Sequence, residues 1–295
     1  MTLPSVWPQP LANEARVFPD LGTPLRNAAN AAVDWLIVTH GRSFDAVSDA
    51  ILSVFLIVEA PLRALPPWAI IALVAMLAYA AGRSLRLAAG CALGLWLIGA
   101  LGVWDEAVQS LAVVLVAVAL CAVAGIPLGI AMAHSVRVRG LAGPALDLMQ
   151  TIPSFVYLIP VAMLLGLGKV PAIIATVVYA LPPLARLTDL GLRLADKELL
   201  EAADAFGATR GQRLRKVELP LALPNILQGI NQTTMMALAM VVIASMIGAR
   251  GLGQTVLEGL QRADVGQGLI GGTASVILAV VLDRITQAFG AAAQP

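Results

Sequence analysis

The strongest constraint on this chain is where it carries no charge. Seven stretches, residues 64–82, 87–104, 107–133, 148–168, 170–185, 219–249 and 265–282, contain no Asp, Glu, Lys or Arg. A helix crosses the hydrocarbon core of a bilayer in about 20 residues. Backbone in lipid finds no water to bond, so each stretch must satisfy its own N–H and C=O groups as a helix. No stretch alternates with a period of two, which excludes a barrel. Composition leads to the same place. The chain is 59% hydrophobic and 13% charged, where a soluble domain carries about a quarter charged residues. Polar groups cannot cover such a surface, so lipid must. The expectation is an all-α integral membrane protein with about seven transmembrane helices. The fourth and fifth stretches are joined tightly, through Gly166, Gly168 and Pro171.

Lys and Arg set the orientation. Arg83, Arg86, Arg137 and Arg139 follow the first and third stretches, and Arg186, Arg193, Lys197, Arg210, Arg213, Arg215 and Lys216 follow the fifth. The opposite loops hold Lys169, Arg250 and Arg262. The basic loops belong in the cytoplasm, which places the N-terminus outside and the C-terminus inside. Arg16, Arg26, Arg42 and Arg63 weaken the bias at the N-terminal end.

Three regions follow. Residues 1–63 read as a tail and an amphipathic, interfacial helix: 1–27 are rich in Pro and polar residues and expected to be extended. Residues 28–63 bring Val33, Leu36, Ile37, Ile51, Phe55, Val58 and Leu62 round at helical spacing. Asp49 and Glu59 favour a helix lying on the membrane over one crossing it. Residues 64–104 hold the first two transmembrane helices, and 105–290 a transmembrane core with a cytoplasmic loop at 190–224. No cleavable signal peptide is expected, since Pro4, Pro8, Pro10 and Asn13 interrupt the start of the chain.

That loop is the most structured polar segment. Asp196 suits an N-cap, with Glu198 in the first turn. Leu199, Leu200, Ala203 and Phe206 share a face, and Gly207 stands where a left-handed residue would end the helix. Thr209 and Gln212 have capping-box spacing, so a second helix can start at once. It runs to about Glu218, where Pro220 and Pro224 stop or kink it. Three readings fit this pattern: a helix pair on anionic headgroups, a DNA-binding helix-turn-helix, or a docking lever with an apolar knob and a glycine joint. The net charge of +1 argues against nucleic acid.

The spacing goes further than the pattern. Glu201-Ala202-Ala203, three residues, Gly207, nine residues, Val217, one residue, Leu219-Pro220 resembles the signature loop of ABC importer permeases, with Val where Ile is usual. Residues 151–160 (TIPSFVYLIP), 229–233 (GINQT) and 244–253 (ASMIGARGLG) flank it. With Phe206-Gly207-Ala208-Thr209 they resemble the permease subunits of the glycine betaine/proline branch. Arg250 stands where that branch commonly has a small residue. The resemblance implies a type I importer permease fold in the cytoplasmic (inner) membrane, crossed several times. It also implies a homodimer, an ABC ATPase subunit that carries ATP and Mg, and an extracytoplasmic substrate-binding protein. Glu201, Ala202, Ala203, Phe206, Gly207, Leu219 and Pro220 would then form the ATPase-coupling loop, and the chain itself would hold no cofactor and be no enzyme. It has no Walker A pattern.

Path residues are harder to read. Phe155 and Tyr157 suit either a path or an aromatic belt. Asn231, Gln232 and Thr233 are polar within a span, and serve either as helix glue or as path lining. Gly248, Gly251 and Gly253 shape an outer turn or a gate. Quaternary ammonium groups favour aromatic cages, yet the chain is 5% aromatic, so such a cage is expected in the binding protein. Choline, carnitine or an amino acid remain alternative solutes, and a motor-independent channel or scaffold an alternative class. Cys91 and Cys121 read as buried small residues, and His40 and His134 form no metal site.

Overall fold

The computed structural model describes residues 21–292, and every regular element among them is helical. The helices are α1 (Gly22–Ala64), α2 (Pro67–Gly82), α3 (Leu85–Ala100), α4 (Trp104–His134), α5 (Val136–Thr151), α6 (Leu158–Leu165), α7 (Lys169–Arg193), α8 (Lys197–Ala205), α9 (Arg210–Arg213), α10 (Leu219–Ala244), α11 (Leu252–Gln261) and α12 (Val265–Ala292). Among the described residues, four continuous helical runs are long and apolar enough to cross a membrane: α4, α7, the run Arg210–Ile247 that contains α10, and α12. Two bent pairs raise the count to six if each is one span: α1 with α2, bent by 110°, and α5 with the segment Ser154–Leu165, bent by 104°. The apolar α3 is shorter, at 16 residues.

Two expectations need correction. The stretch 148–168 is not one helix. Pro153 disfavours helical geometry at the residue before it. Ile152 is accordingly extended, at ψ 129°, and a tight turn at Ser154–Tyr157 restarts the chain as α6. The N-terminal helix begins earlier than residue 28. It opens at Gly22, with Pro24 in the first turn, where a missing N–H costs nothing. The expected extended conformation of 1–20 lies outside the described residues.

The last third of α1 packs on the bundle. Phe55 is fully buried, Ile51, Val58 and Leu62 lie against the core, and the buried Glu59 accepts a hydrogen bond from Lys169 at the start of α7. Lys169 Nζ also sits 4.6 Å from the centre of the Phe55 ring.

The centre of the bundle is α4, α7 and α10, with α7 between the other two. Their backbones approach closely because glycine stands at the crossings. A Cβ on Gly129 would meet Thr188 Cβ at 2.5 Å and the Ala185 carbonyl at 2.6 Å. On the other side of α7, a Cβ on Gly229 would meet Leu184 Cδ1 at 2.9 Å and one on Gly191 would meet Asn225 Cβ at 2.8 Å. Lipid tails are as apolar as Leu, so helices in a bilayer associate by such close packing rather than by apolar burial. Trp68, Leu73, Met76, Trp96 and Leu97, on α2 and α3, stay exposed.

Candidate functional site

The polar loop is built as its caps dictate. Asp196 Oδ1 accepts from the Glu198 amide at 2.9 Å and opens α8. The helix closes with two reversed bonds: the Gly207 amide donates to Asp204 O and the Ala208 amide to Ala203 O, both at 3.0 Å. Gly207 has φ +77°, the left-handed conformation this closure requires. Thr209 and Gln212 then bond reciprocally, the Thr209 amide to Gln212 Oε1 at 2.9 Å and the Gln212 amide to Thr209 Oγ1 at 3.4 Å. Of the shared apolar face, Leu200 and Ala203 turn half-inward, while Leu199 is exposed. Phe206 is 92% exposed and forms a knob at the tip of α8, beside the exposed Glu201 and Ala202.

Pro220 does not stop the chain. The residues Leu214–Glu218 widen into a π turn in which the Leu219 amide reaches back five residues to Leu214 O. Pro220 then falls in the first turn of α10, and Pro224 is absorbed inside it. The loop is therefore α8, a glycine joint, and a continuous rod from Arg210 into the bundle.

One set of functional candidates has no apolar pattern to betray it. Arg213 Nη1 contacts Asp204 Oδ2 at 2.8 Å, and its Nε donates to Glu218 Oε1 at 2.8 Å. Glu218 Oε2 lies 2.9 Å from His134 Nε2, at the end of α4, without an aligned hydrogen bond, so the contact is an ion pair when the imidazole is protonated. Glu218 is 3% exposed although Lys216 and Arg215 stand two and three positions before it. Its partners Asp204 and His134 stand 14 and 84 residues upstream. Arg213 and Glu218 are five residues apart, a spacing that an α-helix does not bring together and the π turn does, so no local signal marks the set.

The path candidates separate cleanly. Asn231 is buried, and its Nδ2 donates to Asp283 Oδ1 of α12 at 3.0 Å; Thr286 donates to its other side-chain atom. Thr233, fully buried, donates to Ala180 O of α7 at 2.9 Å. Both join helices. Gln232 is exposed, and so is Gln228 one turn before it. Phe155 is 55% exposed at the break before α6, whereas Tyr157 donates its hydroxyl to Met149 O at 2.6 Å. The three glycines have different surroundings. Gly248 has φ +83° with open space around it. Gly251 and Gly253 are buried: a Cβ would meet Ser110 Oγ at 2.5 Å on the first and Val242 Cα at 2.6 Å on the second. The Leu252 amide donates to the same Ser110 Oγ at 2.8 Å, which draws α11 against α4 and α10. Among the described residues no group of His, Cys, Asp and Glu is placed to hold a metal ion.

A helical bundle with long apolar helices and an exposed apolar surface suits an integral membrane protein. The chain belongs to the family of binding-protein-dependent transport system inner membrane components, whose profile matches residues 125–294. It is 45% identical over 271 residues to the glycine betaine/proline betaine transport system permease protein ProW of Escherichia coli (strain K12), covering 90% of this chain and 75% of that protein. It is 42% identical over 264 residues to the glycine betaine transport system permease protein OpuAB of Bacillus subtilis (strain 168), covering 90% and 93%. Among solved structures, inward-facing conformations of the MetNI methionine ABC transporter contain a chain that aligns with a TM-score of 0.58. The identity is 25%, and the alignment covers 68% of this chain and 98% of that one.

Proposed function

We propose that this chain is the permease subunit of an ATP-driven importer for glycine betaine and related quaternary-ammonium osmolytes. The observation that carries the reading is the identity of 45% and 42% to two betaine permeases over 90% of the chain. The loop Glu201–Pro220, capped and presented as a lever, supports it. In this reading two copies of the chain enclose the solute path. Each engages one ABC ATPase subunit, which holds ATP and Mg, and a substrate-binding protein delivers solute from outside.

The chain then contributes three things. Phe206 and Leu199 give α8 an apolar knob that fits a groove on the ATPase, in the helix-in-groove mode. The rod from Arg210 carries the movement of that knob into α10. Gln228 and Gln232 lie one turn apart on α10 and share a face. Exposed amides in lipid would lack partners, so that face is assigned to the path or to the second copy. Nucleotide and solute can shift the transporter only by their differential affinity for its two states.

The test is ATP-driven uptake of labelled glycine betaine in proteoliposomes holding this chain, its ATPase and its binding protein. Competition by choline, carnitine and amino acids ranks the solutes. Flux of equal rate without the ATPase would refute the importer reading and favour a channel. Hydrolysis stimulated by the chain without betaine uptake would keep the permease and discard the solute.

A further inference from the structure

The knob helix is weakly attached. No residue of α8 is buried, and its main neighbours are α9 and the π turn. A docking helix held only by its backbone would swivel at Gly207 when pulled. The structure shows a second attachment, made of charge. Asp204 on α8 meets Arg213, Arg213 meets Glu218, and Glu218 meets His134, each step at 2.8–2.9 Å. His134 Nδ1 donates to the Ile130 carbonyl of its own helix at 2.9 Å, so Nε2, which faces Glu218, holds the carboxylate in the imidazolium form of the ring.

The far end of this chain is itself anchored. Arg139 Nη2 caps the last turn of α4 through Met132 O at 2.9 Å and Ala133 O at 3.3 Å, and contacts Asp189 Oδ1 of α7 at 3.0 Å. Arg193 holds the other oxygen of Asp189, Oδ2, at 3.0 Å. The end of α4 thus lies between two ionic clusters, one leading to α8 and one to α7. Just inside it, Gly129 brings the α4 backbone against Thr188 and Ala185 of α7.

We propose that Asp204, Arg213, Glu218 and His134 form a transmission that carries movement of the ATPase-docked α8 into α4, in parallel with the covalent route through α10. The argument rests on the coupling role proposed for the loop. Its physical basis is the burial of Glu218. A buried carboxylate stripped of one partner is left uncompensated, which is far costlier than stretching an exposed pair. The linkage is therefore stiff at the Glu218 end and tunable at the solvent-exposed Asp204 end. With both routes intact, α8 cannot turn about Gly207 without moving α4 and α10 together. Through the glycine crossings, α7 moves with them. Arg213 and Glu218 are positioning residues in this scheme: neither needs to touch solute or nucleotide.

The experiment is hydrogen–deuterium exchange on the full chain in lipid nanodiscs, with and without the partner ATPase subunit. In the unmutated chain, docking should slow exchange in α8 and also alter it at residues 130–134. In Asp204→Asn and Arg213→Met, docking should still protect α8, while the response at 130–134 falls about fivefold or more, the lower range of allosteric couplings. Asp204→Glu should restore it. The double variant should resemble Arg213→Met alone, since residues acting through one another are not additive. In Asp204→Asn, which leaves the buried Glu218 paired with Arg213, a merely structural role would change exchange at 130–134 in the undocked chain and leave the docking response intact. Asp204 is exposed, so its substitution does not endanger folding. An undiminished response at 130–134 in both single variants overturns the transmission. Absence of any ATPase effect on α8 in the unmutated chain overturns the coupling role of the loop, and the transmission with it.

Discussion

Gly207→Ala isolates one term of the lever. An added Cβ meets nothing within 4 Å, so the substitution creates no clash. It does place an L-residue at φ +77°, a left-handed conformation that costs about 1–2 kcal/mol outside glycine. Two closing bonds depend on that conformation, Gly207 to Asp204 and Ala208 to Ala203. The nine-residue α8 has no buried residue to resist their loss. A helix this short is marginal by itself, so the strain appears almost fully as loss of the closed, dockable form. Apparent affinity scales with the population of that form. The Kd of the ATPase subunit should therefore rise about five- to thirtyfold, as measured by titrating labelled ATPase onto the chain in nanodiscs. Gly207→Asn should recover most of the loss, because Asn tolerates the left-handed region. If Ala binds as tightly as Gly, or Asn as weakly as Ala, the backbone argument is wrong.

Other perturbations separate packing from docking. Phe206→Ala should leave thermal stability unchanged, because the ring is 92% exposed. It should weaken ATPase binding by about thirtyfold, the scale of an interface hot spot; a shifted melting temperature would contradict this. Gly129→Ala must push α4 and α7 apart, since its nearest contact would be 2.5 Å, and overpacking of this kind costs about 1–3 kcal/mol. Gly125→Ala, whose nearest contact would be 3.4 Å, should be nearly neutral, so equal melting shifts for the two would refute the close-crossing account. Glu59→Gln leaves the partly buried Lys169 without its carboxylate and should destabilise the attachment of α1 by about 1–3 kcal/mol. The double variant Glu59→Gln/Lys169→Met should be milder, read as proteolytic release of α1.

Much of the loop could be read in advance because its rules are local. Asp196, Gly207, Thr209 and Gln212 act through backbone bonds to residues two to five positions away, so spacing alone predicts them. The proline-rich stretches were less legible. Pro153 breaks a stretch that looked continuous, whereas Pro220 leaves one intact, because a π turn supplied the space the ring needs. Asn231 and Thr233 looked the same as Gln232 in sequence; their direction depends on which neighbour lies beside α10.

By itself the sequence determined that this is a helical membrane protein with a capped polar loop, since charge-free stretches, caps and motif spacing are properties of a few consecutive residues. Only the tertiary structure decided which helices are continuous and which polar groups are glue. It alone brought Asp204, Arg213, Glu218 and His134 into one chain of contacts. The physical reason is range: an ion pair or a glycine crossing joins residues separated by tens of positions, and nothing in local periodicity records which of them will meet.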